Sequence, residues 1–376
     1  MDLAIIGGGI GGLATAVALR RIGIKTTVYE SASSFQPLGA GIGIGSNAML
    51  ALQQMEVAKD ILAHGVPLHE QRFYDGNLRL MNTIDFTLLK KRFGEETITI
   101  QRADLHEALF DAVDKDAFRF HKRVASFKQD DSGVTLSFTD NTTARHDYII
   151  AADGIHSLFR KTVLPNSVPR YAGYTCWRGI SPNNNDVPLH ISNEAWSKQG
   201  RFGWAPLHNG DVYWFACVNA RENDELFANL TKRDVAHLFK HFSPTVERLI
   251  HDTYDDYFLH HDLYDIEPLD TFHYGRIILL GDAAHATTPN MGQGAGQAIE
   301  DAYELMRAFE TFDTWENIAK VYNAKRVPKT KKVIQLSRQI GWVAQWDSTF
   351  LTSFRNILFP FIPKSLLFWR LTFLFK

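Results

Sequence analysis

The chain has 376 residues, 45% of them apolar, a formal net charge of −2 and two cysteines. The length exceeds one typical domain and falls short of three. The charge leaves no basic footprint for nucleic acid. Cys176 and Cys217, with no CxxC or metal spacing, argue against a thiolate metal centre or a disulfide framework.

Residues 2–6 read as a short apolar strand, and residues 13–21 read as a helix. Between them Gly7, Gly9 and Gly12 keep G-x-G-x-x-G spacing. Such glycines permit a tight turn and close approach of backbone to a pyrophosphate, while the helix N-terminus offers free N–H groups and a positive dipole. A second strand, residues 26–29, ends at Glu30, about 20 residues beyond the glycines, where a carboxylate accepts hydrogen bonds from a ribose diol. A dinucleotide with a free 2′-hydroxyl, FAD or NAD, is expected. The chain enters its first strand at once, which leaves no room for a signal peptide. With two thiols that read as buried, the expected compartment is the cytoplasm.

A Gly-rich stretch spans residues 39–45, and a helix is expected from about Asn47. Residues 71–97 alternate apolar and polar like a meander, turning at Asp75-Gly76. A helix follows Arg102, a hairpin turns near Ser132, and residues 148–151 form a strand before Asp153-Gly154. Residues 172–180, 201–206 and 212–219 have period 2 and are dense in Phe, Tyr and Trp; a helix pair is expected over 232–252. Residues 276–280 read as a buried strand, closed by Gly281-Asp282, and a helix starts near Gly294. A carboxylate at such a strand end suits a ribityl hydroxyl. A glycine-rich helix start suits the charge that a reduced flavin carries at its pyrimidine edge. The two glycine-rich segments together specify FAD.

The expected architecture is α/β. A Rossmann-like FAD-binding domain (1–70, 98–168 and 268–330) interleaves with a β-sheet substrate domain (71–97 and 169–267), and residues 331–376 form a C-terminal helical arm. Pro360 and Pro363 break the apolar tail and Arg355, Lys364 and Arg370 interrupt it, so it does not span a bilayer. It reads as an arm packed across the flavin side, as a basic amphipathic surface for a membrane or lipophilic substrate, or as a dimer contact.

Gly281-Asp282-Ala283-Ala284-His285, the Ile149–Ser157 string around Asp153-Gly154, and Arg102 ahead of its helix resemble the single-component FAD-dependent aromatic hydroxylases of the p-hydroxybenzoate hydroxylase class. The similarity is greatest to the branch with urate, salicylate and alkylquinolone hydroxylases and zeaxanthin epoxidase, and it covers residues 1 to about 345. The resemblance implies an ADP site at Gly7, Gly9, Gly11, Gly12, Glu30 and Ser31. It implies Arg102 at the pyrophosphate or ribityl chain, Val124 at the adenine, Asp153 at the pyrophosphate, Asp282 at the ribityl chain, and Gly292, Gly294 and Ala295 at the isoalloxazine. FAD would be non-covalent and NADH or NADPH a visiting co-substrate, in keeping with the lack of a second G-x-G-x-x-G. The implied reaction inserts one atom of O2 into a small aromatic or heteroaromatic molecule through a flavin C4a-hydroperoxide. Backbone around Pro289 would face the oxygen, and Arg201 and Tyr213 on the period-2 sheet would bind a substrate oxyanion, although an outward, solvated Arg201 fits the pattern equally. His285 reads as a structural partner. The alternative is an FAD-linked reductase of a hydrophobic isoprenoid or quinone-like compound. Monomer and homodimer both remain open, and no metal is expected.

Overall fold

The computed structural model describes residues 1–35, 39–183 and 187–376. Leu3–Ile6 carries no polar side chain and is buried on both faces, as the centre of a parallel sheet requires. It pairs in parallel with Tyr148–Ala151 on one side and Thr26–Tyr29 on the other. Ile277–Leu279 extends the sheet beyond Tyr148–Ala151, and Phe118–Arg119 beyond Thr26–Tyr29; the edge strand His273–Tyr274 is antiparallel. Helix Ile10–Arg21 packs against this sheet with a buried run of small and aliphatic residues, and helix Gly294–Thr311 packs onto Ile10–Arg21.

A second sheet has seven strands in the order Leu259–Ile266, Pro169–Pro182, Asp211–Asn219, Arg201–Pro206, Ile191–Trp196, Glu70–Asp75, Leu80–Asp85. The one parallel pairing is between Ile191–Trp196 and Glu70–Asp75. Alternation decides its two faces. Trp177, Phe202 and Trp214 point to one side, where helices Lys232–Phe239 and Pro244–His251 cover them with Val235, Phe239, Val246 and Ile250. Cys176, Arg178, Arg201, Tyr213 and Phe215 lie on the other, because Cys176 pairs with Cys217, Arg178 with Phe215, and Arg201 with Cys217. Tyr213 packs over Gly41 of the Gly-rich stretch. The second face therefore looks toward the dinucleotide-type sheet.

Two expectations need correction. The stretch 71–97 is a hairpin followed by a helix, Thr87–Phe93, not a meander throughout: Asp85 Oδ1 accepts from the Thr87 N–H at 2.9 Å and starts the helix. The expected start of the C-terminal arm at 331 falls inside a continuous helix, Trp315–Ala344, with Pro328 within it. Its buried stripe, Ile318, Tyr322, Arg326, Thr330, Val333, Ser337 and Gly341, keeps a spacing of three to four residues past the proline, so packing carries the helix on.

The joint between this long helix and Gly294–Thr311 is ionic and buried. Arg326 donates to Asp301 Oδ1 at 2.6 Å, Glu300 Oε2 at 2.8 Å and the Gln297 carbonyl at 2.9 Å. Lys329 adds a second cation to Glu300 at 2.6 Å. Removing one partner of such a set strands a charge. Arg326→Met should therefore lower stability by about 3–5 kcal/mol in urea unfolding; a loss below about 1 kcal/mol would show that the pairing contributes little.

Candidate active site

The turn after the first strand is built by contact. A side chain at Gly12 would meet the Gly7 carbonyl at 1.9 Å, and one at Gly7 (φ +105°) would meet the Ala152 carbonyl at 2.4 Å. Gly11 has a packing role beside its expected one. Its missing side chain makes room for Leu280 and Ala298, at 3.0 and 3.2 Å from where its Cβ would stand, so it serves helix packing. Gly9 is the opposite case: nothing lies within 4 Å of where a Cβ would be, so this residue opens onto free space at the helix start. Glu30 is fixed by its own neighbourhood. Gly8 N–H donates to Oε2 and Ala32 N–H to Oε1, each at 2.7 Å, and the Ser31 hydroxyl donates to Oε1 at 3.1 Å. Val124 begins the strand Val124–Asp130, half-buried against the core of the first sheet.

The Asp153 segment adjoins this turn through Ala152. Asp153 Oδ2 accepts from the Leu158 N–H at 2.8 Å, while Oδ1 is buried and unpartnered. Burial pushes its carboxyl above the usual range. Arg160, from the same segment, donates to the Ala283 carbonyl at 3.0 Å and so ties it to the Gly281–His285 turn. Asp282 stays reachable by solvent yet is enclosed by protein. Burial pushes its carboxyl up, against the pull of His285, Arg102 and Arg160. Arg102, at the N-terminus of helix Arg102–Asp111, feels the Asp282 charge but forms no ion pair with it among the described residues. An unpartnered buried acceptor, an open glycine, and an unpaired arginine near an unpaired carboxylate fit the pyrophosphate and ribityl chain of FAD.

The expected structural role of His285 matches its contacts. Its Nε2 lies 2.6 Å from Asp301 Oδ2, which also accepts from the Gly281 N–H at 2.9 Å. Pro289 opens a short 3₁₀ turn, exposed, that closes at Gly292 (φ 61°); Gly294 and Ala295 begin the next helix, half-buried. Asn290 anchors this turn. Its Oδ1 accepts from Arg201 and from the Tyr174 hydroxyl at 3.1 Å, and its Nδ2 donates to Thr288 Oγ1 and the Ser337 carbonyl, each at 2.9 Å.

Arg201 thus points inward, 2% exposed, and its guanidinium is committed to Asn290 and Glu194 (3.2 Å). Tyr213 shares its face of the sheet. Burial pushes its phenol up to about 12, so it stays protonated near neutrality, and its hydroxyl has no hydrogen-bond partner among the described residues. Sequence reasoning missed Arg178, diagonal to Tyr213 across the Pro169–Pro182/Asp211–Asn219 pair. It is half-buried, and among the described residues it makes no ion pair; the Cys176 thiol is its hydrogen-bond partner, and Tyr213, Arg102 and His261 are close enough to interact with it. Its period-2 relation to Cys176 and Ile180 was the available signal. Cys176 and Cys217 are free, buried and directly opposed; hydrogen bonding from Cys217 lowers the Cys176 thiol below its ordinary range.

The family described as FAD binding domain matches residues 1–337. The chain belongs to this family. It is 32% identical over 350 residues to the aurachin C monooxygenase/isomerase of Stigmatella aurantiaca, covering 93% of this chain and 91% of that protein. It is 31% identical to the FAD-dependent urate hydroxylase of Klebsiella oxytoca (90% and 89% covered), and 30% identical to the 2-heptyl-3-hydroxy-4(1H)-quinolone synthase of Pseudomonas aeruginosa (97% and 95%). Among solved structures, Klebsiella pneumoniae HpxO complexed with FAD and uric acid superposes with a TM-score of 0.89 at 29% identity, covering 97% of this chain and 94% of that one. The protein is a single-component FAD-dependent monooxygenase of the aromatic hydroxylase type, with FAD as cofactor and, as is typical of the family, NADH or NADPH as co-substrate. The reductase alternative is set aside.

Two outcomes follow for this FAD-binding hydroxylase. Gly9→Ala should leave the fold intact, because its Cβ meets no protein atom, yet weaken FAD binding by about tenfold, ~1.4 kcal/mol. Unchanged flavin retention on dialysis would remove Gly9 from the cradle. Asp282→Asn should stabilise the flavin-free protein at neutral pH. Its carboxyl has a raised folded-state pKa, so the cost of ionising it is absent at low pH and grows as pH rises through the unfolded and then the folded value. Melting curves should show the gain fading as pH falls below about 4.

Proposed function

We propose that this enzyme hydroxylates a lipophilic, oxygen-bearing heteroaromatic compound of the 4-quinolone kind, with Arg178 and Tyr213 holding the ring oxygen. The observation that carries the reading is this pair of donors, one a fixed cation and one a protonated phenol, that face no carboxylate partner among the described residues and lie on the face toward the FAD-binding segments. FAD, when bound, supplies hydride acceptance from the nicotinamide and activation of dioxygen. The chain's own work is to bind, orient and exclude water. Arg178 and Tyr213 would stabilise the oxyanionic form of the substrate, which makes the adjacent ring carbon electron-rich. Arg201 acts as a positioning residue. Through Asn290 it fixes the Pro289 turn, whose backbone is proposed to face the oxygen being transferred.

Apolar walls support a lipophilic substrate. Phe73, Met81, Trp196 and Phe359 form one cluster, and Trp196 pairs with Arg201 across neighbouring strands. One relative bears a name of alkylated quinolone chemistry, the 2-heptyl-3-hydroxy-4(1H)-quinolone synthase. The remaining cofactor contacts are proposed as the sequence suggests them: Gly7, Gly9, Gly12, Glu30 and Ser31 at the ADP half, Val124 at the adenine, Arg102, Asp153 and Asp282 along the chain, and Gly292, Gly294 and Ala295 at the ring. The proposed compartment is the cytoplasm.

The test is a panel of 2-alkyl-4-quinolones, urate and hydroxynicotinate, followed by nicotinamide oxidation and product mass in air. A quinolone should give the highest kcat/KM and gain one oxygen; preference for urate would sink the substrate proposal. Arg178→Leu should lower kcat/KM for the preferred substrate by about 10- to 100-fold, the loss of one charged hydrogen bond, with FAD content unchanged. Tyr213→Phe should cost about tenfold.

A further inference from the structure

The C-terminal arm is inside out. Helix Thr349–Leu358 turns Phe350, Phe354, Ile357 and Leu358, spaced i, i+4, i+7 and i+8, to solvent, and its buried residues are Thr352 and Arg355. Arg355 is spent internally, donating to the Ala344 carbonyl at 3.0 Å at the end of the long helix. Phe361 at the bend and Trp369 on the next helix, Lys364–Leu371, are 78% and 68% exposed. Trp342, beside the start of the arm, is 69% exposed. A chain that buries a polar stripe and exposes its aromatics on neighbouring turns and helices presents apolar surface of the kind that marks a docking site.

The arm is nonetheless held firmly. Asn82 donates to the Phe359 and Ile362 carbonyls at 2.8 and 3.0 Å, and so pins the bend where the two helical segments meet at 91°. Phe93 stacks on Phe375 at 3.6 Å, and Lys329 donates to the Leu374 carbonyl. Among the described residues no single helix is long and apolar enough to cross a membrane.

Charge selects the occupant. Residues 348–376 contain four cations and no acid. Lys364, Arg370 and Lys376 are exposed beside the apolar residues. Helix Thr87–Phe93 adds exposed Lys91 and Arg92, with Arg92 lying 5.9 Å over the Phe368 ring. Two copies meeting through this face would bring like charges together. An anionic lipid surface satisfies both halves of the pattern: phosphate headgroups meet the cations, and the acyl boundary takes the aromatics and aliphatics.

We propose that the C-terminal arm is a peripheral docking surface for an anionic lipid bilayer, with Phe350, Phe354, Ile357, Phe361 and Trp369 seated at the acyl boundary and Lys364 and Arg370 at headgroup level. The docked face adjoins the substrate sheet by direct contact: Phe359 stacks on Trp196 at 5.1 Å, and Trp196 donates to Glu194, the partner of Arg201. The proposal holds for any substrate.

The test is co-sedimentation of the full-length flavoprotein with phosphatidylcholine vesicles, with and without a minor fraction of phosphatidylglycerol. Anionic vesicles should capture about tenfold more protein than neutral ones at low salt, and added salt should weaken capture. Lys364→Glu with Arg370→Glu, both at exposed positions, should reduce partitioning on anionic vesicles by about tenfold, to the level of neutral ones. Phe354→Glu with Trp369→Glu should abolish it. Both double variants should keep FAD content, melting temperature and basal nicotinamide oxidation, and the charge pair keeps the test valid if the apolar pair misfolds. No capture by either vesicle, equal capture by both, or capture indifferent to the charge pair would overturn the proposal. A dimer seen by light scattering and lost in the apolar variant, without vesicle binding, would assign the face to a second copy instead.

Discussion

One buried carboxylate, Asp301, sets the geometry on which the cofactor half of the site depends. Its Oδ2 takes the Gly281 N–H and the His285 ring, and its Oδ1 takes Arg326. Arg326 and His285 pull its carboxyl down to about 2 against burial, so the charge persists at any physiological pH. The sharp reversal at Gly281 that presents Asp282 is therefore held by an ion set and not by the turn residues alone. The same set clamps the long helix Trp315–Ala344 against Gly294–Thr311, whose first turn is proposed to face the flavin. Buried ion sets are seldom a cheap source of stability; here the set fixes one register among three segments.

Much of this was legible in the chain. The glycine spacing, the apolar strands and the Gly281–His285 string specified the dinucleotide sheet, because each rests on a local rule: small residues where backbones touch, unbroken apolar runs where both faces are buried. The period-2 strands likewise announced a sheet dense in aromatic residues. What was hidden depends on pairing across distance. Whether Arg201 faces in or out is settled by its register against Trp196 and Cys217. Arg178 stands out only once its neighbours are known to lack a carboxylate. Gly11 looked like a phosphate residue by position, yet its neighbours are Leu280 and Ala298. The helix through Pro328 was masked because a local breaker was outvoted by packing along its whole length.

The division of labour in the site follows from the two sheets. The parallel one offers turns, helix starts and unpaired polar groups, suited to a long charged cofactor. The antiparallel one offers a rigid face with a cation and a phenol that meet no carboxylate among the described residues, suited to a flat ring with one oxygen. Hydrophobic covering on its far side, Trp177, Trp214 and Phe202 under two helices, stiffens that face.

Asn290 joins the two halves through a single side-chain amide. Its oxygen faces two donors from the antiparallel sheet and its nitrogen two acceptors from the cofactor side, so the amide has one orientation and no isostere. A hinge between the halves would have to break the two bonds that Arg201 and Tyr174 give to the amide oxygen. The molecule is thus a single lever: a tilt of the aromatic sheet is delivered to the Pro289 turn as a displacement, with no slack between them.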